Sequence, residues 1–433
     1  MTPQRTLRIA LLGAGSVGSQ VARLLLEHGE ELSERSGARL ELAGILVRDP
    51  DAPRDTELPR ELLTTDAEAL ILGADIVIEL MGGIEPARSH VLAAIRSGAD
   101  VVTGNKALLA THGAEIFEAA DQVGASVSYE AAVAAAIPII RPLRDSLAGD
   151  RIVRIFGIVN GSTNFILDSM DRDGLSAQEA QRIATELGYL EADPTLDLEG
   201  YDAAQKAAIL ASLAFHTQVS FEDVHREGIE SVTADMIADA RRAGYVIKLL
   251  AICERLSDPD GGVSVRVYPA LIDREHPLAT VHGGNNAVFV EAEAAGPLMF
   301  YGAGAGGVQT ASAVLGDVVS AARRHLAGGV GVGESARQSL SVAPIGRITT
   351  RYQITLEVED LPGVLATVAG ILSEEGVSVA TALQTVEGED SATARIVIGT
   401  HRASEQALSD TVARLAESSV VQRVVSVLRV EGE

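Results

Sequence analysis

The sequence predicts an α/β protein in three parts: a doubly wound parallel sheet first, a mixed α+β middle, and a C-terminal βαββαβ unit of ferredoxin-like type. Three observations predict it. Apolar runs alternate with amphipathic ones to about residue 133, the pattern of a parallel sheet covered on both faces. The first run leads into "GAGSVG" (13–18), a G-x-G-x-x-G between strand and helix. From Tyr352 the pattern restarts as strand, helix, strand, strand, helix, strand. At about 150 residues per domain, the 433 residues allow roughly three domains.

Taken in order, "LRIALLG" (7–13) reads as a buried strand and "VGSQVARLLLEHG" (17–29) as a helix ended by Gly29. "RLELAGILV" (39–47) is the second strand, and "DIVIEL" (75–80), "DVVTGN" (100–105) and "SVSYEAAV" (126–133) are later ones. Helices near 86–97 and 107–123 separate them. The middle mixes helices with strands such as "RIVRIFGIV" and "VSVRVYPAL", and "YVIKLLAICERL" reads as an apolar helical stretch that buries Cys253. A helix near 309–326 follows the glycine-rich "YGAGAGGVQT". Residues 327–348, rich in Gly and Ser and containing Pro344, read as a linker. The last unit is built from "YQITLEVE", "VLATVAGILSEEG", "VSVATALQTV", "ATARIVIGT", "EQALSDTVARLAES" and "VVQRVVSVLRV".

Composition narrows the function classes. Hydrophobic residues at 47% and charged residues at 22% indicate a well-packed chain, not a disordered one. A net charge of −25 opposes binding to nucleic acid or to an anionic membrane. A single cysteine rules out an intrachain disulfide framework and fits a cytoplasmic location. The most apolar segment, "AAVAAAIPII", is about half a membrane span, and glycines interrupt the first apolar run too early for a signal peptide.

The glycine loop points to a dinucleotide. Gly13 permits the tight turn, Gly15 lets backbone approach a pyrophosphate, and Gly18 lets helix pack on strand. Ser16 and Val17 then open a helix whose N–H groups face phosphate. The second strand ends in Arg48 where a ribose-binding acid would stand, which favours NADP(H) over NAD(H). Arg48 as a surface side chain, or paired with Asp49, is the plain alternative. Ligands of such sheets bind beyond the carboxyl ends of the strands. "ELMGG" (79–83) and "TGNK" (103–106) lie there, so Asn105 and Lys106 face the crevice.

"EADPTLDLEGYDAAQK" (191–206) holds five carboxylates and ends on Lys206, one of only three lysines with Lys106 and Lys248. A calcium loop fails, because no register puts oxygen ligands at positions 1, 3 and 5 with glycine at 6. A solvated turn remains open, with Asp202 and Lys206 as a helical i,i+4 pair. So does a lysine oriented by carboxylates, giving a proton to a carbonyl oxygen as hydride arrives.

These residues match a known family. "ATELGYLEADPTLDLEGYDAAQK" (184–206) is similar to the signature of homoserine dehydrogenases, with Ala184, Gly188, Asp193, Pro194, Asp197, Gly200, Asp202 and Lys206 in place. "VVTGNKALLA", "IVNGSTNFIL" and "YGAGAGGVQTASAVLGD" also resemble family segments. Nearly the whole chain resembles a homoserine dehydrogenase with a C-terminal ACT regulatory domain. The resemblance implies a Rossmann-type cofactor domain (1–137 plus about 301–326), a catalytic and dimerisation domain (138–300), the linker (327–348) and the ACT domain (349–433).

It further implies reversible reduction of L-aspartate 4-semialdehyde to L-homoserine, in threonine, methionine and isoleucine biosynthesis. By the same resemblance Lys206 is the proton donor, Asp202 holds it, and Lys106 lies near the nicotinamide. Glu191 binds the substrate amino group and Asp197 positions the substrate. Gly306 joins the cofactor residues. A monovalent cation, Na or K, is implied at Glu130, Val133, Ala135 and Ile137, although the family pattern has glycine where this chain has Ala135 and Ala136. In the ACT domain Asp360, Gly363 and Val364 mark an effector site between paired domains, threonine being the implied effector of a homodimer or homotetramer. Two alternatives stand beside this: another dehydrogenase joining the same two domain types, and an NAD(P)- and amino-acid-sensing regulator without catalysis.

Overall fold

The computed structural model describes residues 5–54, 56–190, 193–257, 261–328, 338–386 and 393–432. The chain divides into two units. One comprises Met1–Gly161, Gln205–Asp223 and Gly284–Leu340; the other comprises Ser162–Ala204, Val224–Gly283 and Ser341–Glu433.

The first unit contains a six-stranded parallel sheet. Its order is Leu63–Thr64, Arg39–Leu46, Thr6–Leu12, Ile76–Glu79, Asp100–Thr103, Val127–Ser128. This is the doubly wound order of a dinucleotide-binding sheet, reversing direction beside its first strand. Both faces are covered, and the strands are accordingly near-continuous apolar runs. Leu7, Ile9 and Leu11 are fully buried against Val21 and Leu25 of the helix Ser16–Glu27 and Val314 and Val318 of the helix Gly307–Ala327. A second, antiparallel sheet in this unit joins Ile152–Ile158, Asn285–Ala292 and Gly296–Ala303.

Local details correct the sequence reading. The first helix does stop just before Gly29, at Glu27, but Gly29 itself begins a second helix, Gly29–Ser36, whose stop is Gly37 at φ +83°. The strand expected over 126–133 shrinks to Val127–Ser128, after which the chain turns at Glu130–Ala132.

The second unit has the other misreading. "YVIKLLAICER" is not helical; Tyr245–Arg255 is a strand, paired antiparallel over its full length with Val263–Asp273. Both strands are buried on both faces, so their apolar runs carry no period to separate strand from helix. Cys253 is fully buried there, and burial pushes its thiol up to about 12, which leaves it inert. The C-terminal unit is βαββαβ as read: Thr349–Glu359, Val364–Glu374, Val379–Val386, Thr393–Thr400, Glu405–Glu417, Val421–Glu431. Its sheet runs fourth strand, first, third, second. The last strand also pairs in parallel with the second unit's long hairpin, Arg429–Glu431 beside Ala270–Ile272.

Candidate active site

The glycine loop is dictated by clearance. Gly13 has φ +101°, and a Cβ there would lie 2.7 Å from the Leu80 carbonyl oxygen. A Cβ on Gly18 would lie 2.1 Å from the Gly13 carbonyl oxygen, so helix and strand meet only if residue 18 is glycine. Gly15 differs: a Cβ would meet nothing within 4 Å, leaving its backbone open. Ser16 and Val17 form the first helical residues after the Gly15 cap, where N–H groups have no intrahelical partner. The loop is flanked by the start of the helix Gly307–Ala327. There Gly306 has φ +131°, and a Cβ on Gly307 would lie 2.7 Å from the Ser16 carbonyl. Arg48 is exposed just past the second strand, while the Asp49 carboxylate accepts the Asp51 N–H at 2.9 Å.

The two crevice segments are tied by a carboxylate that sequence reading missed. Glu79, fully buried, accepts from Met81 N (2.8 Å), Thr103 Oγ1 (2.7 Å) and Asn105 Nδ2 (3.4 Å). Asn105 also donates to the Gly83 carbonyl (2.7 Å), and its Oδ1 caps the helix Lys106–Val123 at Leu108 N (3.1 Å). Asn105 therefore shapes the crevice floor. Lys106 is the first residue of that helix, where a cation opposes the helix dipole. An acid ending an apolar strand was the available signal for Glu79.

Lys206 lies on the helix Tyr201–Phe215, one turn after Asp202, which is buried. Its Nζ donates to the Val159 carbonyl at 2.6 Å, which fixes the amine against the end of the strand Ile152–Ile158. Asp197 is half-buried in the short helix Thr195–Leu198; Asp193 instead closes a turn, accepting the Thr195 N–H at 3.1 Å. Gly200 (φ +79°) ends that turn and releases the chain into the helix carrying Asp202 and Lys206. Glu191 lies outside the described residues. A cavity of about 740 Å³ is bordered by Phe117, Tyr129, Ile209, Leu213 and His216, but neither Lys106 nor Lys206 lines it.

Of the residues implied for a cation, the Glu130 carboxylate is otherwise engaged. Glu130 is buried, and its carboxylate accepts from Ile139 N (2.6 Å), Ile140 N (2.7 Å), Arg141 N (3.1 Å) and Arg141 Nε (2.9 Å). Four donors fill the roughly four lone-pair sites of a carboxylate, so this side chain does not fit a cation ligand here. Val133 and Ile137 are buried, and Ala135 has φ +52°, a conformation that favours glycine. Burial raises the carboxyl of Asp317, which accepts the Glu130 N–H at 2.8 Å, to about 7. Among the described residues no group of three His, Cys, Asp or Glu is placed to hold a metal.

The third lysine has a different surrounding. Lys248 is buried on the strand Tyr245–Arg255 and donates to Asn164 Oδ1 (2.9 Å) and the Val281 carbonyl (2.7 Å). Burial pushes its amine down to about 8, against the pull of Asp168 and Asp171. In the C-terminal unit, Gly363 (φ +94°) caps the helix that begins at Val364, and Asp360 accepts from Gln384 Nε2 at 3.1 Å.

Comparison with known proteins identifies the family. Residues 138–319 match the family model "Homoserine dehydrogenase", residues 13–130 "Homoserine dehydrogenase, NAD binding domain", and residues 352–418 "ACT domain". Over 435 residues the chain is 52% identical to homoserine dehydrogenase of Corynebacterium glutamicum, covering 100% of the chain and 97% of that protein. The crystal structure of a homoserine dehydrogenase from Thiobacillus denitrificans superposes with TM-score 0.90 at 36% identity, covering 99% of each chain. A hyperthermophilic archaeal homoserine dehydrogenase in complex with NADPH superposes with TM-score 0.62 at 27% identity, covering 75% of this chain and 99% of that one.

Proposed function

The chain belongs to the homoserine dehydrogenase family and is an NAD(P)-dependent oxidoreductase; from that premise we propose how its own residues divide the reaction. The substrate is L-aspartate 4-semialdehyde, reduced reversibly to L-homoserine in threonine, methionine and isoleucine biosynthesis. The nicotinamide dinucleotide supplies hydride when bound on Gly13, Gly15, Ser16, Val17 and Gly18, with Asn105, Lys106 and Gly306 at the crevice. Lys206 gives a proton to the aldehyde oxygen, and takes one from the alcohol in reverse. Asp202, one turn earlier on the same helix, orients that amine. Asp197 and Glu191 hold the substrate, an ammonium-bearing amino acid that needs carboxylates.

The observation that carries this is the fixed amine. Lys206 Nζ is held on the Val159 carbonyl, an anchor that a surface helical pair would not need. A lysine tied down in this way has its rotamer set before substrate arrives. The test is NADPH oxidation on adding aspartate semialdehyde. In Lys206→Ala, turnover should fall by about three orders of magnitude or more while cofactor binding, followed by NADPH fluorescence, survives. Near-normal turnover would sink the assignment of Lys206 as proton donor.

NADP(H) is the preferred cofactor on this reading. Support comes from exposed Arg48 past the second strand and from the archaeal relative that binds NADPH. We assign no step to a monovalent cation, because Glu130 is saturated by N–H donors.

The ACT domain is proposed as a threonine-responsive regulator at Asp360, Gly363 and Val364 in a homodimer or homotetramer. Its helix Val364–Glu374 is largely apolar yet leaves Leu365 exposed, and Leu361 and, on the edge strand, Leu383 are exposed nearby in sequence or sheet. Exposed apolar side chains on a helix and an edge strand mark a pairing surface. The boundaries 1–137 with 301–326, 138–300, 327–348 and 349–433 are kept as the proposed functional domains. Among the described residues no helix is long and apolar enough to cross a membrane, which is consistent with the proposed cytoplasmic location.

A further inference from the structure

The second unit contains a continuous polar connection from the C-terminal domain to the acidic segment. Arg429, on the last strand, pairs with Glu227 through both terminal nitrogens, Nη1 to Oε2 and Nη2 to Oε1, each at 2.9 Å. The same guanidinium donates to Glu405 through Nε (3.1 Å) and Nη2 (2.6 Å), and lies over the Tyr268 ring at 4.3 Å. Burial alone would raise the Glu227 carboxyl, but its hydrogen bonds to His225 and Arg429 hold it at about 2, so it stays ionised. The fork geometry makes this a strong, directional pair.

From Glu227 the connection continues along the chain. Its N–H donates to the Val267 carbonyl at 2.8 Å, and His225–Arg226 pairs with Arg266–Val267. Arg226 donates to the Glu199 carbonyl, and its guanidinium lies 3.5 Å from the centre of the Tyr201 ring. A Cβ on Gly228 would lie 2.3 Å from the Leu198 carbonyl oxygen, and Ile229 N donates to that same oxygen at 2.8 Å. Residues 226–229 are therefore the floor on which 198–201 rests, and that stretch lies between Asp197 and Asp202. The last strand, meanwhile, is bound into the long hairpin: Tyr268 donates to Glu431 at 2.7 Å beside the Ala270–Arg429 pairing.

We propose that residues 226–229 are the joint through which the C-terminal domain sets the position of the substrate-holding acids, with the Glu227–Arg429 pair as its fastening. This rests on the reading that Asp197 and Asp202 serve the substrate. Glu227 and Arg226 are thus positioning residues, and each acts through the backbone of 198–201.

The test uses the full-length enzyme carrying Glu227→Gln, which keeps the shape and removes the charge. The expected result is a rise of about fivefold or more in KM for homoserine, with kcat and the NADP KM within about twofold of wild type. A merely structural lesion would move both KM values and kcat together, and that outcome, like an unchanged homoserine KM, overturns the proposal. If Glu227→Gln does not fold, Arg429→Lys retains the charge, loses the two-point grip, and is read in the same way. Adding Arg226→Lys to either variant should give a non-additive change in homoserine KM, and strict additivity counts against a single joint. Asp197→Asn with an unchanged homoserine KM would remove the reading of the acids themselves, separately from the joint. A wild-type enzyme insensitive to threonine would remove the feedback reading alone, the KM split still deciding the joint. If threonine does inhibit, Glu227→Gln should bind it with the same heat yet need about fivefold more for inhibition. Unchanged inhibition would count against the proposal.

Discussion

Lys248 shows why residue type is not role. It is one of three lysines, and the other two read as functional because their neighbours in sequence carried meaning: "TGNK" closes a strand, and "EGYDAAQK" follows a run of acids. Lys248 sits in an uninterrupted apolar run that gives no cue, and only the fold brings Asn164 and the Val281 carbonyl to its amine. Its titration is a testable consequence. The amine is lowered from 10.5 to about 8, so between those values the unfolded chain binds more protons than the native one, and the native state gains stability as pH rises. Below that window the buried charge weighs against the fold. Urea unfolding of wild type and Lys248→Met should show the wild type gaining on the variant across the window, by on the order of 3 kcal/mol. The variant also loses two hydrogen bonds, but that loss does not change with pH, so the slope is the readout. Parallel curves would mean that Lys248 is not titrating there.

At the scale of elements, the glycine loop was the most legible feature, because each glycine answers a separate steric demand. Gly18→Ala drives a Cβ onto the Gly13 carbonyl, backbone against backbone, with no flexible side chain to yield. It should lower stability by about 1–3 kcal/mol and abolish NADPH binding. Gly15→Ala meets nothing within 4 Å, so it should fold with a normal Tm and weaken only the cofactor. Equal Tm losses in the two variants would contradict this division, as thermal melts with and without NADPH can show. The strand Tyr245–Arg255 was the element least legible. A strand covered on both faces and an interior helix both read as a plain apolar run, and only its partner Val263–Asp273 decides between them. Glu79 was missed for a related reason, since the carboxylate is explained by Met81, Thr103 and Asn105, which lie on two separate strand ends.

At the scale of the whole molecule, the apolar surface of the C-terminal domain carries the prediction. Leu365 and Leu383 are 45% and 63% exposed, on a helix and an edge strand of one small domain. Leu365→Asp with Leu383→Asp should shift the enzyme to a smaller species in sedimentation. It should also raise the threonine needed for inhibition by about fivefold or more, with basal turnover retained. An unchanged sedimentation coefficient would place the assembly contacts elsewhere.

The sequence by itself determined the strand–helix alternation of the cofactor sheet, the glycine loop, the βαββαβ end and the acid-to-lysine segment. These are set by periodicity, by clearance around single residues and by spacing within one stretch of chain, all of which are local. Tertiary structure alone decided that Glu130 is saturated by Ile139, Ile140 and Arg141, that Lys206 is anchored on Val159, and that Arg429 grips Glu227. Lys206 and Val159, like Arg429 and Glu227, are far apart in sequence. Hydrogen bonding and charge pairing depend on distance in space, and no local pattern encodes a distance between residues that only folding brings together.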